Sequence, residues 1–587
     1  MKYSSTDQCN SSRGMTTVQD GFGLSNLWVL VLFLFGSVAA NEGWLSRGAD
    51  NVDSESSDWF SGYDLGGFGL PGGPNYIKRE LYAEDSPYGS SVHGMSAIID
   101  SDNIAEWTPI SSNLTAGQQD FYVFTINTQR TDTSFSPTYE ILIFMSGNLC
   151  NINEMPDDLA PMITTAFNDS VTDDPTGGWP VRFDDGYLEG LMVSPVQTDS
   201  DSNITSLYSN LYVAVQVYNT TSGLPLKSGE YEGIHWEYHL SISENDLVYQ
   251  WDNRTWMDIV DTDIDSALLV TGATTHNSYG SNNHNFTIQD ASLYDVYIYS
   301  YNDTNEMQTH LNKSLCAIKN GNYLVSSTGN KASKEVELDR SDLHIQKIIK
   351  DGNHSTNEYF YVTGLNQSTD YVAYLTKKIG KRGNLSDIGG ILFQQVVFRT
   401  ADDNSCSLIH SLDFCTDVAY SVPTSELYLG NKTLMAEAYD NISKSLYANF
   451  SKALQLIPCD TEKDARYSPL RTCDDCAESY RNWVCSVSIP RCTKDTSSYY
   501  MFRNKDINRN SYIDEDIKPL RDYYEVLPCI DMCYSIVRDC PSAFGFQCPD
   551  LDSTPDLLFN SYNFYNDNAD FISCNLMGND TDTVDYS

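Results

Sequence analysis

Twelve of the fifteen cysteines in this chain fall between Cys406 and Cys574. That density means disulfides in an oxidising compartment and metal or redox chemistry in a reducing one, so the compartment decides the fold class. Lys2 and Arg13 precede the apolar run Leu24–Phe35, and Gly36, Ser37, Val38, Ala39 and Ala40 follow it. Basic residues, an apolar core and small residues in that order form a signal peptide, with the cut at Asn41. An uncleaved signal anchor is the alternative, although the run is shorter than the roughly 20 residues of a bilayer span. Losing Cys9 with residues 1–40 leaves an even 14 cysteines. Acceptor triplets Asn-x-Ser/Thr recur at Asn113, Asn168, Asn203, Asn219, Asn253, Asn285, Asn302, Asn312, Asn353, Asn366, Asn384, Asn431, Asn441, Asn449 and Asn579. So many spread over the chain mark a lumenal, N-glycosylated surface. The cysteines Cys406, Cys415, Cys459, Cys473, Cys476, Cys485, Cys492, Cys529, Cys533, Cys540, Cys548 and Cys574 are therefore read as disulfide-bonded.

With 36 Lys and Arg against 80 Asp and Glu, the chain carries a formal charge of −44. Phosphates would be repelled, which excludes nucleic acid and anionic membrane surfaces as partners. A length of 587 residues predicts three or four domains of about 100–200 residues each. Residues 41–95 are rich in Gly, Ser and Asp and read as a flexible linker. Residues 96–248 carry aromatic and β-branched runs between polar turns: 121–128, 139–147, 211–219 and 235–243. That is the grammar of an antiparallel β-sandwich. Residues 249–401 repeat it as a second sandwich. There Leu365, Thr369 and Tyr371 resemble the tyrosine-corner segment of fibronectin type III domains, and Val396–Thr400 resembles their last strand. Cys150 and Cys316 are expected to pair and tie the two sandwiches.

Residues 402–576 read as helical. Met435, Tyr439, Ile442, Leu446, Phe450 and Leu454 recur at three- and four-residue spacing and predict one long amphipathic helix. A second helix is predicted over 528–540, with Cys529, Cys533, Val537 and Cys540 on one face. Residues 577–587 form an acidic tail.

Candidate metal ligands come from one segment. Asp506, Asn508, Asn510 and Asp514 sit at alternate positions that resemble an EF-hand calcium loop, with Ile513 at the apolar anchor. Ser511 stands where such loops turn on Gly, and Ile517 replaces the bidentate acid. A polar insertion is the plain alternative, and calcium is the one cofactor the sequence raises. His235-x-Glu237-x-His239 places three polar groups on one strand face and reads as an outer face. Cys473-Asp-Asp-Cys476 has zinc-knuckle spacing but reads as disulfide. Asp184-Asp185 and Asp402-Asp403 read as solvated turns. No G-x-S-x-G, H-E-x-x-H or P-loop occurs, so no catalytic residue is assigned and the chain is read as a non-enzyme. A glycoside hydrolase with unlinked carboxylates stays open as a distant third reading.

Cysteine spacing is the most specific signal. Cys406-x8-Cys415, Cys476-x8-Cys485-x6-Cys492, Cys529-x3-Cys533-x6-Cys540 and the run 544–550 (FGFQCPD) resemble the cysteine-rich domain of Frizzled receptors. The first spacing is one residue longer, Cys548 stands where those domains have Trp, and Cys459 and Cys473 are extra. The resemblance implies the pairs Cys406–Cys492, Cys415–Cys485, Cys476–Cys540, Cys529–Cys574 and Cys533–Cys548, leaving Cys459–Cys473. Signal, glycosylated β-rich region and this variant domain together, with 528–534 (PCIDMCY), resemble the fungal Mid family of stretch-activated calcium-channel components. That resemblance implies an accessory subunit on the extracellular face of the plasma membrane, partnered by a large pore-forming subunit. It implies calcium influx in response to stretch, pheromone or cell-wall stress. Self-association into homo-oligomers is a further partner reading. The competing reading is a secreted lipid- or glycan-binding ectodomain.

Overall fold

The aromatic and β-branched runs of the first 400 residues pair into four large sheets, two to a core. A computed structural model describes residues 102–127, 141–152, 159–167, 179–194, 196–198, 204–226, 231, 234–272, 274–275, 293–304, 310–329, 342–351, 355–381, 384–458, 467–494, 498–566 and 571–577. The signal segment, the linker over 41–95 and the acidic tail beyond 577 lie outside them.

The first sandwich uses β1 (Asp102–Ile104), β2 (Ile110–Thr115), β3 (Gln119–Thr125), β4 (Ile141–Ile152), β5 (Leu159–Ala166) and β6 (Trp179–Arg182). It continues with β7 (Tyr187–Ser194), the small pair β8 (Val196–Thr198) and β9 (Ile204–Leu207), then β10 (Asn210–Asn219) and β11 (His235–Ser243). One sheet runs β1-β3-β10-β5-β6 and the other β2-β11-β4-β7. Pairing is antiparallel except where β1 lies parallel to β3. The period-2 pattern explains the layering. On β11, Trp236, Tyr238 and Leu240 are fully buried while His235, Glu237 and His239 are half-buried on the other face. The Tyr122 and Tyr238 hydroxyls, one from each sheet, meet at 2.8 Å inside the core.

The second sandwich uses β12 (Tyr249–Asp252), β13 (Met257–Thr262), β14 (Ser266–Thr271), β15 (Thr274–Thr275), β16 (Tyr294–Ser300), α1 (Leu315–Asn320) and β17 (Val325–Ser326). Then follow β18 (His344–Asp351), β19 (Ser355–Thr363), β20 (Asp370–Lys381), β21 (Asn384–Phe393) and β22 (Val396–Arg399). Its sheets run β12-β21-β20-β16-β17, with β22 on β20, and β13-β14-β19-β15, with β18 on β19. Tyr371 is buried at the start of β20, and the Asn366 N–H donates to its hydroxyl at 2.7 Å. That bond pins the turn that crosses between the sheets. Gly364 holds φ +80°, and a Cβ there would lie 2.6 Å from the Leu343 nitrogen, so the turn requires glycine.

The C-terminal domain mixes helix and strand. It contains the hairpin β23 (Cys406–Ile409) and β24 (Tyr420–Pro423), helices α2 (Lys432–Leu454) and α3 (Cys473–Ser488), and strands β25 (Arg491–Thr493), β26 (Met501–Arg503) and β27 (Tyr523–Val526). Helices α4 (Ile530–Asp539) and α5 (Pro555–Ser561) close it. The apolar stripe on α2 is narrower than its spacing predicts: Met435, Tyr439, Phe450 and Leu454 are buried, but Leu446 is 47% exposed. On α4 Ile536 is buried with Ile530, Met532 and Cys533, but Val537 is 46% exposed. The single cysteine face expected there is also corrected. Cys529 and Cys540 cap the two ends of α4, and its three cysteines bond to three separate segments.

Candidate interaction site: the cysteine-rich domain and its junctions

Helix ends in this domain are fixed by local chemistry. Asn431 caps α2, its side chain accepting the Leu434 N–H at 3.0 Å. Thr472 and Asp475 cap α3 reciprocally, each side chain taking the other's backbone N–H. Disulfides then join the segments: Cys406–Cys492, Cys415–Cys485, Cys476–Cys540, Cys529–Cys574 and Cys533–Cys548. These are the pairs the Frizzled resemblance implies. Cys473 is also disulfide-bonded, and Cys459 lies outside the described residues. Around the bridges, Met435, Tyr439, Val484, Ile489 and Met532 form one core with Val418 and Val422 of the hairpin region. Phe450 and Tyr480 stack at 3.7 Å beside the Cys476–Cys540 bond.

An acidic run on the second sandwich binds this domain. The Asp263 carboxylate, buried on the loop after β13, accepts the Leu408 N–H of β23 at 2.8 Å and meets the Lys432 ammonium of α2 at 2.6 Å. Lys432 also reaches Asp265 at 2.6 Å and the Ser266 hydroxyl at 2.9 Å. Burial alone would raise Asp263, but Lys432 and the hydrogen bonds hold its carboxyl below the ordinary value. Asp261 accepts the Ser421 N–H of β24 at 2.8 Å, and the Lys350 ammonium of β18 donates to the Thr416 carbonyl at 2.9 Å. Tyr361 and His410 place their rings 4.3 Å apart across the same junction. Burial, with Lys350 and Lys432 nearby, pushes the His410 imidazole down to about 4.

The two sandwiches are joined through α1. Its N-cap Ser314 donates to the Leu149 carbonyl of β4 at 2.6 Å, and Leu315 N–H donates to Asn148 Oδ1 at 3.0 Å. Cys316 on α1 is bonded to Cys150 on β4. Asp184-Asp185 lies in a turn with both carboxylates exposed, as expected, and both also pair with Lys313, at 2.5 and 3.2 Å. Asp402-Asp403 likewise pairs with Lys494, at 2.6 and 3.0 Å. His239 lies against the bridge, Nε2 3.9 Å from Cys316 Sγ, and burial lowers its pKa. Cys150, His239 and Cys316 are the one trio of potential metal donors gathered among the described residues. With both sulfurs oxidised, the imidazole is the only donor left in it.

The loop read as a calcium candidate is brought together only in part. Asn508 donates to Asp514 through its backbone and its side-chain amide, at 3.1 and 2.7 Å. Asp506 is exposed and pairs with Lys505 at 3.3 Å, while the Asn510 amide donates to the Val487 carbonyl at 2.9 Å. Ile513 and Ile517 are buried in the domain core. Arg509 turns inward with Arg503 to share the buried Glu525, at 2.8 and 2.6 Å. The Asn510 contact uses the amide nitrogen rather than its oxygen, and Asn508 Oδ1 accepts the Tyr523 hydroxyl at 2.6 Å. The Arg503–Glu525–Arg509 triad is invisible to spacing arguments, its members being scattered over more than twenty residues.

Of the acceptor asparagines, Asn113, Asn253, Asn302, Asn366, Asn431, Asn441 and Asn449 are exposed, and Asn219 and Asn312 are half-buried. Asn384 lies in β21. Asn168, Asn203, Asn285, Asn353 and Asn579 fall outside the described residues.

The described residues form a pair of joined β-sandwiches and a disulfide-stapled module, and none of their helices is long and apolar enough to cross a membrane. The chain belongs to the Mid1 family, stretch-activated Ca2+-permeable channel components, whose model matches residues 142–580. It is 56% identical over 491 residues to the stretch-activated cation channel MID1 of Saccharomyces cerevisiae, covering 83% of this chain and 89% of that one. It is 33% identical over 383 residues to the stretch-activated cation channel yam8 of Schizosaccharomyces pombe, covering 63% of this chain and 71% of that one. A Cryptococcus neoformans MID1 channel is 25% identical over 284 residues, 41% of each chain. None of these names describes an enzyme. The solved structure of Astrotactin-2 overlaps at a TM-score of 0.12, with 12% identity over 38% of this chain and 30% of that one, and carries no argument about fold.

Proposed function

We propose that the chain is an accessory subunit of a plasma-membrane calcium channel, held on the extracellular face by docking to a large pore-forming subunit. In this reading it supports calcium influx under stretch, pheromone signalling or cell-wall stress. The sandwiches act as contact surfaces and the C-terminal module, a Frizzled-like cysteine-rich domain, grips the extracellular loops above the pore. The observation that carries the reading is the single long apolar run of the sequence, Leu24–Phe35. A helical pore needs several spans lined and sealed by protein, and one run of that length supplies none of the rest. The five bridges and their match to the Frizzled pairing support the assignment of the module. The test is reconstitution of purified full-length chain into planar bilayers, beside affinity purification from detergent-solubilised membranes. Silent bilayers and stoichiometric recovery of a multi-span channel protein are expected. Cation currents from the chain alone would overturn the proposal.

A further inference from the structure

Between the two sandwiches, Cys150, His239 and Cys316 bring two sulfurs and an imidazole within 4.8 Å of one another. Each arrives on a different element. Where β4 meets β11, Glu237 pairs with Asn151 and Tyr238 with Leu149, so Cys150 is the extra residue of a β-bulge. A bulge re-aims the side chain it adds. Leu149 and Tyr238 point into the first core, while Cys150 turns to the outer face that carries His239 and meets Cys316 there. Cys316 comes from α1 of the second sandwich.

The groups around the trio suit a metal ligand set. His239 Nδ1 lies 3.5 Å from the Tyr249 hydroxyl, which leaves Nε2 facing Cys316 Sγ at 3.9 Å. A partner on one ring nitrogen fixes the imidazole and presents the other nitrogen to an ion. The Asn320 side-chain amide donates to Cys316 Sγ at 3.3 Å, a bond that strengthens when the sulfur carries a thiolate charge. Sulfur in a disulfide is only a weak acceptor and requires neither contact. Two thiolates and one neutral imidazole are zinc donors. With Zn–S about 2.3 Å and Zn–N about 2.05 Å, a tetrahedral ion sets its sulfurs about 3.8 Å apart and each about 3.6 Å from the nitrogen. The Nε2–Sγ separation is close to that already, and opening the S–S bond lets the sulfurs move apart. Cys150 and Cys316 are 8% and 5% exposed, so thiolate–metal bonds formed there would be shielded from water, with His239 the half-buried member.

We propose that Cys150, His239 and Cys316 form a redox-gated zinc site that ties the two sandwiches together in either state. Oxidised, the tie is the disulfide. A small dithiol breaks the S–S bond, gives two electrons and two protons to the protein sulfurs, and leaves as a cyclic disulfide. Zn2+ then displaces both thiol protons and takes the Nε2 lone pair, with water in the fourth position. A small-molecule disulfide reverses the change: it takes the two electrons back, is cleaved to thiols, and the ion is released. The first sandwich supplies Cys150 and His239 and the second supplies Cys316, so the ion spans the junction that the covalent bond spans.

Alkylation read by mass tests this on the full-length chain. The folded chain is reduced with excess dithiol, freed of it without air, and alkylated with and without Zn2+. Labelling of Cys150 and Cys316 is read peptide by peptide, apart from the thiols of the cysteine-rich domain. Zinc is expected to slow labelling of both at least tenfold. His239→Gln, which keeps a polar side chain but offers no ring nitrogen, is expected to cut that protection below threefold. Cys150→His leaves a donor trio that cannot close into a disulfide, needs no reductant, and serves if His239→Gln fails to fold. It is expected to carry one Zn2+ through gel filtration and, with Co2+ instead, to show a thiolate charge-transfer band. Equal labelling with and without zinc, protection that survives His239→Gln, or a folded Cys150→His chain that holds neither ion overturns the zinc site. A Cys150–Cys316 bond that stays closed in excess dithiol on the folded chain overturns the gate.

Discussion

The Asp263–Lys432 contact is the sharpest place to test how the cysteine-rich domain is fixed to the second sandwich. The Asp263 side chain is 1% exposed and that of Lys432 29%. Removing one member of a buried pair typically costs about 3–5 kcal/mol, because the survivor is left desolvated. The lower end applies here. Lys432 is partly wet, and Asp263 keeps hydrogen bonds from Leu408 N–H, Ser266 N–H and the Ser266 hydroxyl, each at 2.8 Å. Lys432→Met is therefore expected to cost about 3 kcal/mol at the junction, and Asp263→Asn about as much. Because the two act through one contact, the double variant should cost less than the sum by about 2 kcal/mol. Lys432→Met preserves the Asn431 triplet, so glycosylation is not disturbed. The assay is native-state amide exchange on the full chain, which reads local opening even when several domains prevent a two-state melt. At 1.4 kcal/mol per decade, the Leu408 and Ser421 amides should exchange roughly 100-fold faster in each single variant. Exchange within threefold of the unmodified chain, or strictly additive effects, would refute the reasoning.

His410 gives the same junction an acid sensitivity. Its pKa falls from about 6.5 in an unfolded chain to about 4 in the fold, through burial and then the nearby Lys350 and Lys432. The unfolded state binds the extra proton between those values, so stability is lost as pH falls from about 6.5 through 4. Partial solvent access limits the loss to on the order of 1–2 kcal/mol, and His410→Gln should flatten the pH dependence of Leu408 exchange. Cys533→Ser opens the Cys533–Cys548 loop and strands a thiol, at a cost of about 2–5 kcal/mol. Secretion and calcium uptake should collapse together, and wild-type uptake would count against the docking role of the domain. Tyr371→Phe removes the acceptor for the Asn366 N–H and should destabilise the second sandwich by about 1–2 kcal/mol, read as an earlier melt. An unchanged melt would show that the corner bond does not pin the turn.

Period and spacing are local signals, and what they showed was local. The run 235–243 reads as a strand because its residues alternate, and it is β11 with those bounds. The run 139–147 falls short of β4, which continues to Ile152, because its last residues are held by pairing with β11 rather than by their own propensity. The junctions could not be read in this way. Asp261, Asp263 and Asp265 look like one more solvated acidic stretch among 80 acids, and Lys432, the partner of Asp263 and Asp265, lies more than 160 residues away. Asp184 and Lys313 are hidden for the same reason. The 506–516 segment marks another limit of spacing: alternating oxygens satisfy the calcium-loop pattern, but the inward anchoring of Arg509, Ile513 and Ile517 is set by distant parts of the domain.

Taken together, the two junctions determine how the three domains behave under load. Inter-domain surfaces within a chain usually permit relative motion, because they are small and polar. Here each junction contains something that sliding would break. Between the sandwiches it is a covalent bond flanked by hydrogen bonds from the start of α1 to β4, one through the Ser314 hydroxyl and one to the Asn148 side chain. Between the second sandwich and the cysteine-rich domain it is a buried carboxylate whose ammonium and N–H partners sit on the other domain. Displacing that junction by a few ångströms would strip Asp263 of Lys432 and the Leu408 N–H and leave it only its Ser266 bonds, at a cost of about 3 kcal/mol. A small force is therefore passed on rather than absorbed at either junction. Compliance would have to lie inside a domain, and amide exchange on Lys432→Met tests whether the junction itself holds.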